Sequence, residues 1–246
     1  GGAETECLPP KSGSGDAVPS AYSFTVEGAG EAEAFCREKG ITLNAFFNAA
    51  FGFTLSKFVQ PDDVVFTTVY HGRSDSRLGR PGCMLVKTLP VLVRTEGTER
   101  VSDLLAATQK QLTDTMSHDV YSFAEIAAAY GIRSDILFVY QGDLFRFDTL
   151  CGAPAVNRKV QPTVAKAPLS VCVYKNGDRF EVETEYLSDC FGKGFLDAFS
   201  DAFAAVLERF GEQPEVMQRR FLARRIGNDW RRGNVLDDNH VPPGRQ

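Results

Sequence analysis

Residues 41–58 read ITLNAFFNAAFGFTLSKF, and residues 63–70, just beyond, read DVVFTTVY. In the first stretch Leu43, Phe46, Phe47, Ala50, Phe51, Leu55 and Phe58 recur at steps of three and four, with Thr42 in front as a capping residue. That spacing predicts a helix with a wide aromatic stripe, a face made for the core. The second stretch is β-branched nearly throughout and predicts a central strand. A core-facing helix followed at once by a buried strand needs a sheet to lie on, so the pair decides for an α/β architecture.

Working outward, Tyr22, Phe24 and Val26 alternate with small or polar residues, the pattern of a half-buried strand. A short helix is expected over 30–39, ended by Gly40. On the other side, MLVKTLPVLVR at 84–94 predicts a strand that Pro90 confines to an edge or a bulge. A helix is expected from Ser102 to about 117, and another from Ser122, with Glu125 completing a capping box and Gly131 as the stop. DILFVYQ at 135–141 reads as a strand. Leu169–Tyr174 and Phe180–Tyr186 flank Asn176-Gly177, which predicts a hairpin with a type I′ turn. Phe195, Phe199, Phe203, Leu207 and Phe210 mark a last amphipathic helix. Strands and helices interleave without a strict βαβ rhythm, so the fold class expected is α/β (an α+β sandwich), a mixed β-sheet with helices packed on it. Residues 1–20, rich in Gly, Pro and Ser, read as a linker, and the first of them as a chain entered mid-stream. From 212 to 246 the periodicity is lost, and Arg219, Arg220, Arg224, Arg225, Arg231 and Arg232 read as a solvated linker.

Composition narrows the functions. The chain has 246 residues, 43% apolar and 24% charged, with 27 basic against 32 acidic side chains and a net charge of −5. A chain of this size buries enough apolar surface to fold without a metal or disulfide. An acidic balance argues against a nucleic-acid partner. No stretch reaches the ~20 apolar residues of a membrane span. The six cysteines, Cys7, Cys36, Cys83, Cys151, Cys172 and Cys190, are scattered without a CxxC pair, so a zinc ribbon or dithiol motif is not expected, and a reducing, cytoplasmic setting fits them. There is no GxSxG elbow, HExxH helix, P-loop or GxGxxG. His71-Gly-Arg-Ser-Asp75 matches H-x-x-x-D, but Ser76 stands where acyltransferases of that pattern carry glycine, and His71 reads as a loop histidine.

Seven short strings, in order, resemble the C-terminal lobe of the nonribosomal peptide synthetase condensation domain. They are 41–58, DVVFTTVYHGR at 63–73, CMLVKTLPVLVR at 83–94, HDVYSF at 118–123, DILFVYQ at 135–141, AKAPLSV at 165–171 and EYLSDCF at 185–191. Lys87, Ser122 and Pro168 depart from the family's usual Asn, Pro and Asp. The resemblance implies a lobe like chloramphenicol acetyltransferase over 21–211, preceded by a crossover at 1–20 and followed by a linker toward an adenylation domain at 212–246. It implies amide-bond formation between thioesters held on donor and acceptor carrier proteins by phosphopantetheine arms, in a tunnel shared with an N-terminal lobe. The HHxxxDG motif belongs to that other lobe, so no catalytic residue and no metal ligand is expected here, and the fragment alone is expected to be inactive. Thr67, His71, Arg73 and Lys166 are the tunnel or floor-loop candidates, with either Thr67 and Val69 or Thr68 and Tyr70 facing the tunnel. His118 and Phe123 read as capping and packing. Two other readings stay open: an epimerization domain or ester-forming acyltransferase of the same superfamily, and a non-catalytic platform for carrier proteins.

Overall fold

The computed structural model describes residues 19–58, 63–72, 84–95, 98, 100–118, 120–131, 135–143, 149–154, 167–188 and 190–212. Of the residues singled out above, Arg73, Asp75 and Lys166, with residues 1–18 and the Arg-rich tail, lie outside these. The elements are β1 (Pro19–Glu27), α1 (Ala29–Lys39), α2 (Leu43–Leu55), β2 (Asp63–Tyr70), β3 (Lys87–Arg94), α3 (Val101–Ser117), α4 (Phe123–Tyr130), β4 (Ile136–Asp143), β5 (Thr149–Leu150), β6 (Ala153–Pro154), β7 (Leu169–Asn176), β8 (Arg179–Leu187) and α5 (Lys193–Glu212).

Six strands form one sheet in the order β1-β8-β7-β4-β2-β3, and β5 and β6 form a separate two-stranded ribbon. β4 runs parallel to both β2 and β7, while the other neighbours are antiparallel. The expected mixed sheet with helices on it is therefore the one observed. A parallel pair needs a long crossover, and the chain supplies it between β2 and β4 by way of β3, α3 and α4.

The core lies between the sheet and one layer of helices. Residues 45–55 of α2 are all buried. Phe51 is fully buried, with its ring 5.0 Å from Phe66, 4.4 Å from Phe138, 5.6 Å from Phe199 and 5.9 Å from Phe203, so one side chain joins β2, β4 and α5. Edge-to-face and offset pairs of this kind add to the area each ring buries. Gly52 lets α2 approach β3, since a Cβ there would lie 2.4 Å from Val93. Thr42 starts α2 by accepting from the Ala45 N–H at 3.2 Å, and Gln109 of α3 accepts from the Thr42 hydroxyl at 2.8 Å.

Several elements differ from expectation. β1 begins at Pro19, two residues before the strand read from Ala21. β3 begins at Lys87, and Met84 and Val86 are exposed. The backbone of Leu85 packs instead on Gly72, whose φ of +68° and contact with the Leu85 carbonyl oxygen leave no room for a Cβ. α3 starts at Val101 with no side-chain cap. At the β7–β8 hairpin Asn176 still pairs with Arg179, so the loop is Gly177-Asp178, and only Gly177 has positive φ, +63°. That is the φ pattern of a type II′ turn, not the type I′ expected from Asn-Gly.

Candidate functional site

Strand alternation sorts the sheet into two faces. Phe66, Phe138 and Phe180 contact α2, so residues of their parity face the helices. Thr68 and Tyr70 lie on that side and are buried in the core. Thr67 and Val69 point to the opposite face, where Val65 and Thr67 are also buried. This resolves which pair of β2 turns away from the core.

The registers align that opposite face into rows. Pro90 pairs with Thr67, Thr67 with Leu137, Leu137 with Ser170, Ser170 with Glu185, and Glu185 with Ala21. One row thus crosses all six strands at the level of Thr67. Thr67 is 5% exposed, and its hydroxyl donates to the Ile136 carbonyl at 2.9 Å, tying β2 to β4. Next to the row, Cys172, Tyr174 and Glu183 share the same face. Burial raises the Tyr174 phenol, and its hydrogen bond with Cys172 and the charges of Glu183 and Glu185 push it further the same way.

His71 stands exposed at the end of β2, its ring 5.0 Å from that of Tyr70. Asp75, its partner in the H-x-x-x-D pattern, lies outside the described residues, as do Arg73 and Lys166. The structure therefore places Thr67 within β2 and His71 just past its end, roughly 13 Å apart at the usual strand rise. His118 ends α3, with Nδ1 2.8 Å from the Asp114 carbonyl oxygen, and Ser122 with Glu125 forms the capping box that starts α4 just before Phe123. His118 therefore caps the end of α3 and does not lie at the helix start where the sequence placed it, while the Ser122–Glu125 capping box is the one read from the sequence. Ser170 and Glu185 had no signal in the sequence, because only the strand registers bring them together.

The sheet order and registers define an α/β lobe with a mixed six-stranded sheet. The condensation-domain family model matches residues 3–223, and the chain belongs to that family. Among curated relatives, subunit 1 of surfactin synthase from Bacillus subtilis is 28% identical over 191 residues, which is 72% of this chain and 5% of that protein. Among solved structures, the first condensation domain of the calcium-dependent antibiotic synthetase superposes with a TM-score of 0.69 at 13% identity, over 87% of this chain and 48% of that one. The epimerization domain from the third module of tyrocidine synthetase B superposes with a TM-score of 0.63 at 16% identity, over 85% of this chain and 52% of that one. The chain thus spans about half the length of these solved structures and about a twentieth of the curated relatives. No helix among the described residues is long and apolar enough to cross a membrane.

Proposed function

We propose that this chain is the C-terminal lobe of a peptide-synthetase condensation domain, and that the sheet face carrying Thr67 forms one wall of the chamber where an acceptor amine attacks a donor thioester. The observation that carries the reading is the family match over 3–223 by a chain that covers 48% of a condensation-domain structure.

Aminolysis of a thioester needs a neutral amine, alignment of the two reactants and stabilisation of the developing oxyanion. Alignment between tethered reactants needs two walls, and this lobe supplies one. Thr67 on that wall and His71 past the end of its strand contact the substrates or their phosphopantetheine arms, and so do Arg73 and Lys166, the candidates outside the described residues. The proton-handling group resides in the N-terminal lobe, in its HHxxxDG motif. Donor and acceptor carrier proteins deliver the arms. A crossover over 1–20 joins the two lobes, and 212–246 leads to an adenylation domain. The whole works in the cytoplasm, without metal or nucleic acid. On this reading the isolated chain has no condensation activity.

The test is an assay with aminoacyl-loaded donor and acceptor carrier proteins, with the chain alone and with the two lobes joined. Amide product from the joined lobes only supports the reading, and product from the chain alone overturns it. The superposition on an epimerization domain favours a second reading, inversion of a tethered aminoacyl group. Loss of the α-deuteron from a loaded carrier protein without amide formation identifies that case.

A further inference from the structure

The row through Thr67 contains two polar groups with nothing to bind. Ser170 is 9% exposed, and its hydroxyl has no hydrogen-bond partner. Its neighbour across the strands is Glu185, whose Oε2 is likewise buried without a partner. Buried polar groups are nearly always satisfied, and the exceptions call for an account. Here two fall on facing residues of one strand pair, on the same side of the sheet. They share that side with Glu183 and Glu181, which follow Glu185 at alternate positions along β8. Flanking this file, β1 contributes only Ala21, Ser23 and Thr25 opposite the three glutamates. Arg179 lies 3.6 Å from Glu181 at the far end of the file from Glu185.

An ionised carboxylate only accepts hydrogen bonds, and a serine hydroxyl can turn to accept one as well. Two acceptors side by side beneath a negative file suit a group with several N–H donors and a positive charge. Glu185 as a residue is half-buried while its Oε2 and the Ser170 hydroxyl are covered, so a bound group takes the place of what covers them. The small residues of β1 keep the pair free of bulky side chains on one flank. The row also places the pair level with Thr67, two and three strands away, roughly 10 and 14 Å at the usual strand spacing.

We propose that Ser170 and Glu185 form a subsite for a cationic nitrogen of the substrate, an ammonium or guanidinium carried by a basic amino acid or a diamine. This rests on reading the sheet face that carries Thr67 as the wall of the reaction chamber. It assigns a substrate class to that wall: one reactant carries a second nitrogen that stays protonated while another is acylated.

The experiment is a titration of the 246-residue chain with Nα-acetyl-lysine N-methylamide, followed by NMR of the Glu185 carboxyl carbon and the β7–β8 amides. Nα-acetyl-norleucine N-methylamide serves as the uncharged control. Expected are saturable shifts at Ser170 and Glu185 with the lysine probe, and none with the norleucine probe. Glu185→Gln keeps shape but removes the charge, and Ser170→Ala removes the second acceptor. Glu185→Gln should weaken binding about tenfold or more, the loss typical of a charge-assisted hydrogen bond. Equal binding of the two probes, or unchanged binding by a Glu185→Gln protein with a native amide spectrum, overturns the proposal. Discrimination between the probes alongside inactive joined lobes would refute the chamber and leave the cation site standing. Active lobes without discrimination would refute the site and leave the chamber standing.

Discussion

Asp178 at the tip of the β7–β8 hairpin accepts from the Gly30 N–H through Oδ1 at 2.8 Å, across 148 positions of sequence. Its carbonyl oxygen also accepts from Gly28 N at 3.1 Å and Ala29 N at 3.0 Å. The first N–H groups of a helix have no partners within it. Gly28, the N-cap of α1, has no side chain to supply one, and the hairpin supplies it instead. Asp178→Ala should therefore lower stability by about 1–2 kcal/mol, the usual loss for a helix cap. Urea denaturation measures it, and Asp178→Asn should recover much of the loss because its side-chain oxygen still accepts. An unchanged midpoint in Asp178→Ala would show that the carbonyl contacts suffice.

The same hairpin shows what the sequence could and could not disclose. Two strands around Asn176-Gly177 were legible from alternation and the turn residues. The turn type was not, because the ladder continues to Asn176–Arg179 and Asp178 is recruited by α1, a tertiary contact. β2 was legible to the residue, since its β-branched run is bounded by polar residues and buried on both faces. The start of β3 was not, because Met84 and Val86 have strand-like character yet stand exposed beside a backbone contact with Gly72. The β5–β6 ribbon was missed altogether. Its turn places Cys151 at φ +51° and Gly152 at +81°, and cysteine gives no turn signal. Of the candidate site, Thr67 could be named from its strand, but its row mates Ser170 and Glu185 could not, since pairing register is invisible in a single strand.

Phe51 is the point where β2, β4 and α5 meet, so its truncation empties the centre of the core. Phe51→Ala should cost about 3–5 kcal/mol, in the range for large buried aromatics. Phe51→Leu keeps most of the volume and should cost less. Thermal unfolding of the two variants checks the order, and near-equal losses would show that ring-to-ring geometry rather than volume sets the cost.

Gln111 of α3 covers the outer edge of β3. With its amide turned to match, its nitrogen donates to the Leu92 carbonyl at 2.6 Å and its oxygen accepts from the Leu92 N–H at 2.9 Å. An uncovered edge strand is a template for pairing with another chain. Gln111→Ala should cost about 0.5–1.5 kcal/mol for each hydrogen bond lost and should promote self-association. Sedimentation velocity across a concentration series reads the second effect, and a strictly monomeric variant would show that the rest of α3 shields the edge.

Thiol chemistry separates two cysteines. Cys36 is buried, and burial, helped by the charge of Glu33, pushes its thiol up to about 12. At pH 8 that leaves only about one molecule in ten thousand as thiolate. Cys151 is exposed on its turn. Brief iodoacetamide treatment at pH 8 should label Cys151 in the native chain and Cys36 only after denaturation, as read by peptide mass spectrometry. Labelling of both at equal rates in the native chain would refute the burial of Cys36.

The contact between β1 and α5 carries a charge network with a defined pH dependence. The Lys193 ammonium donates to Asp197 at 2.8 Å and holds its carboxyl below the usual range, with Tyr22 hydrogen-bonding to the same carboxylate. Burial, then the Asp197 contact, raises the Tyr22 phenol. The fold thus favours the ionised Asp197. Its contribution is fully present above the unfolded-state pKa of about 3.9 and is lost as pH falls through the lower folded value. Both partners are largely solvated, so the contribution is small and salt-sensitive. Asp197→Asn should therefore have a lower urea midpoint than the parent at pH 7 in low salt. The gap should narrow as the pH is taken down through 4 toward 2, where the parent carboxyl is itself protonated. A gap that persists unchanged at the acid end would mean that Asp197 acts through packing or neutral hydrogen bonds, and that its charge adds nothing to the joining of β1 and α5.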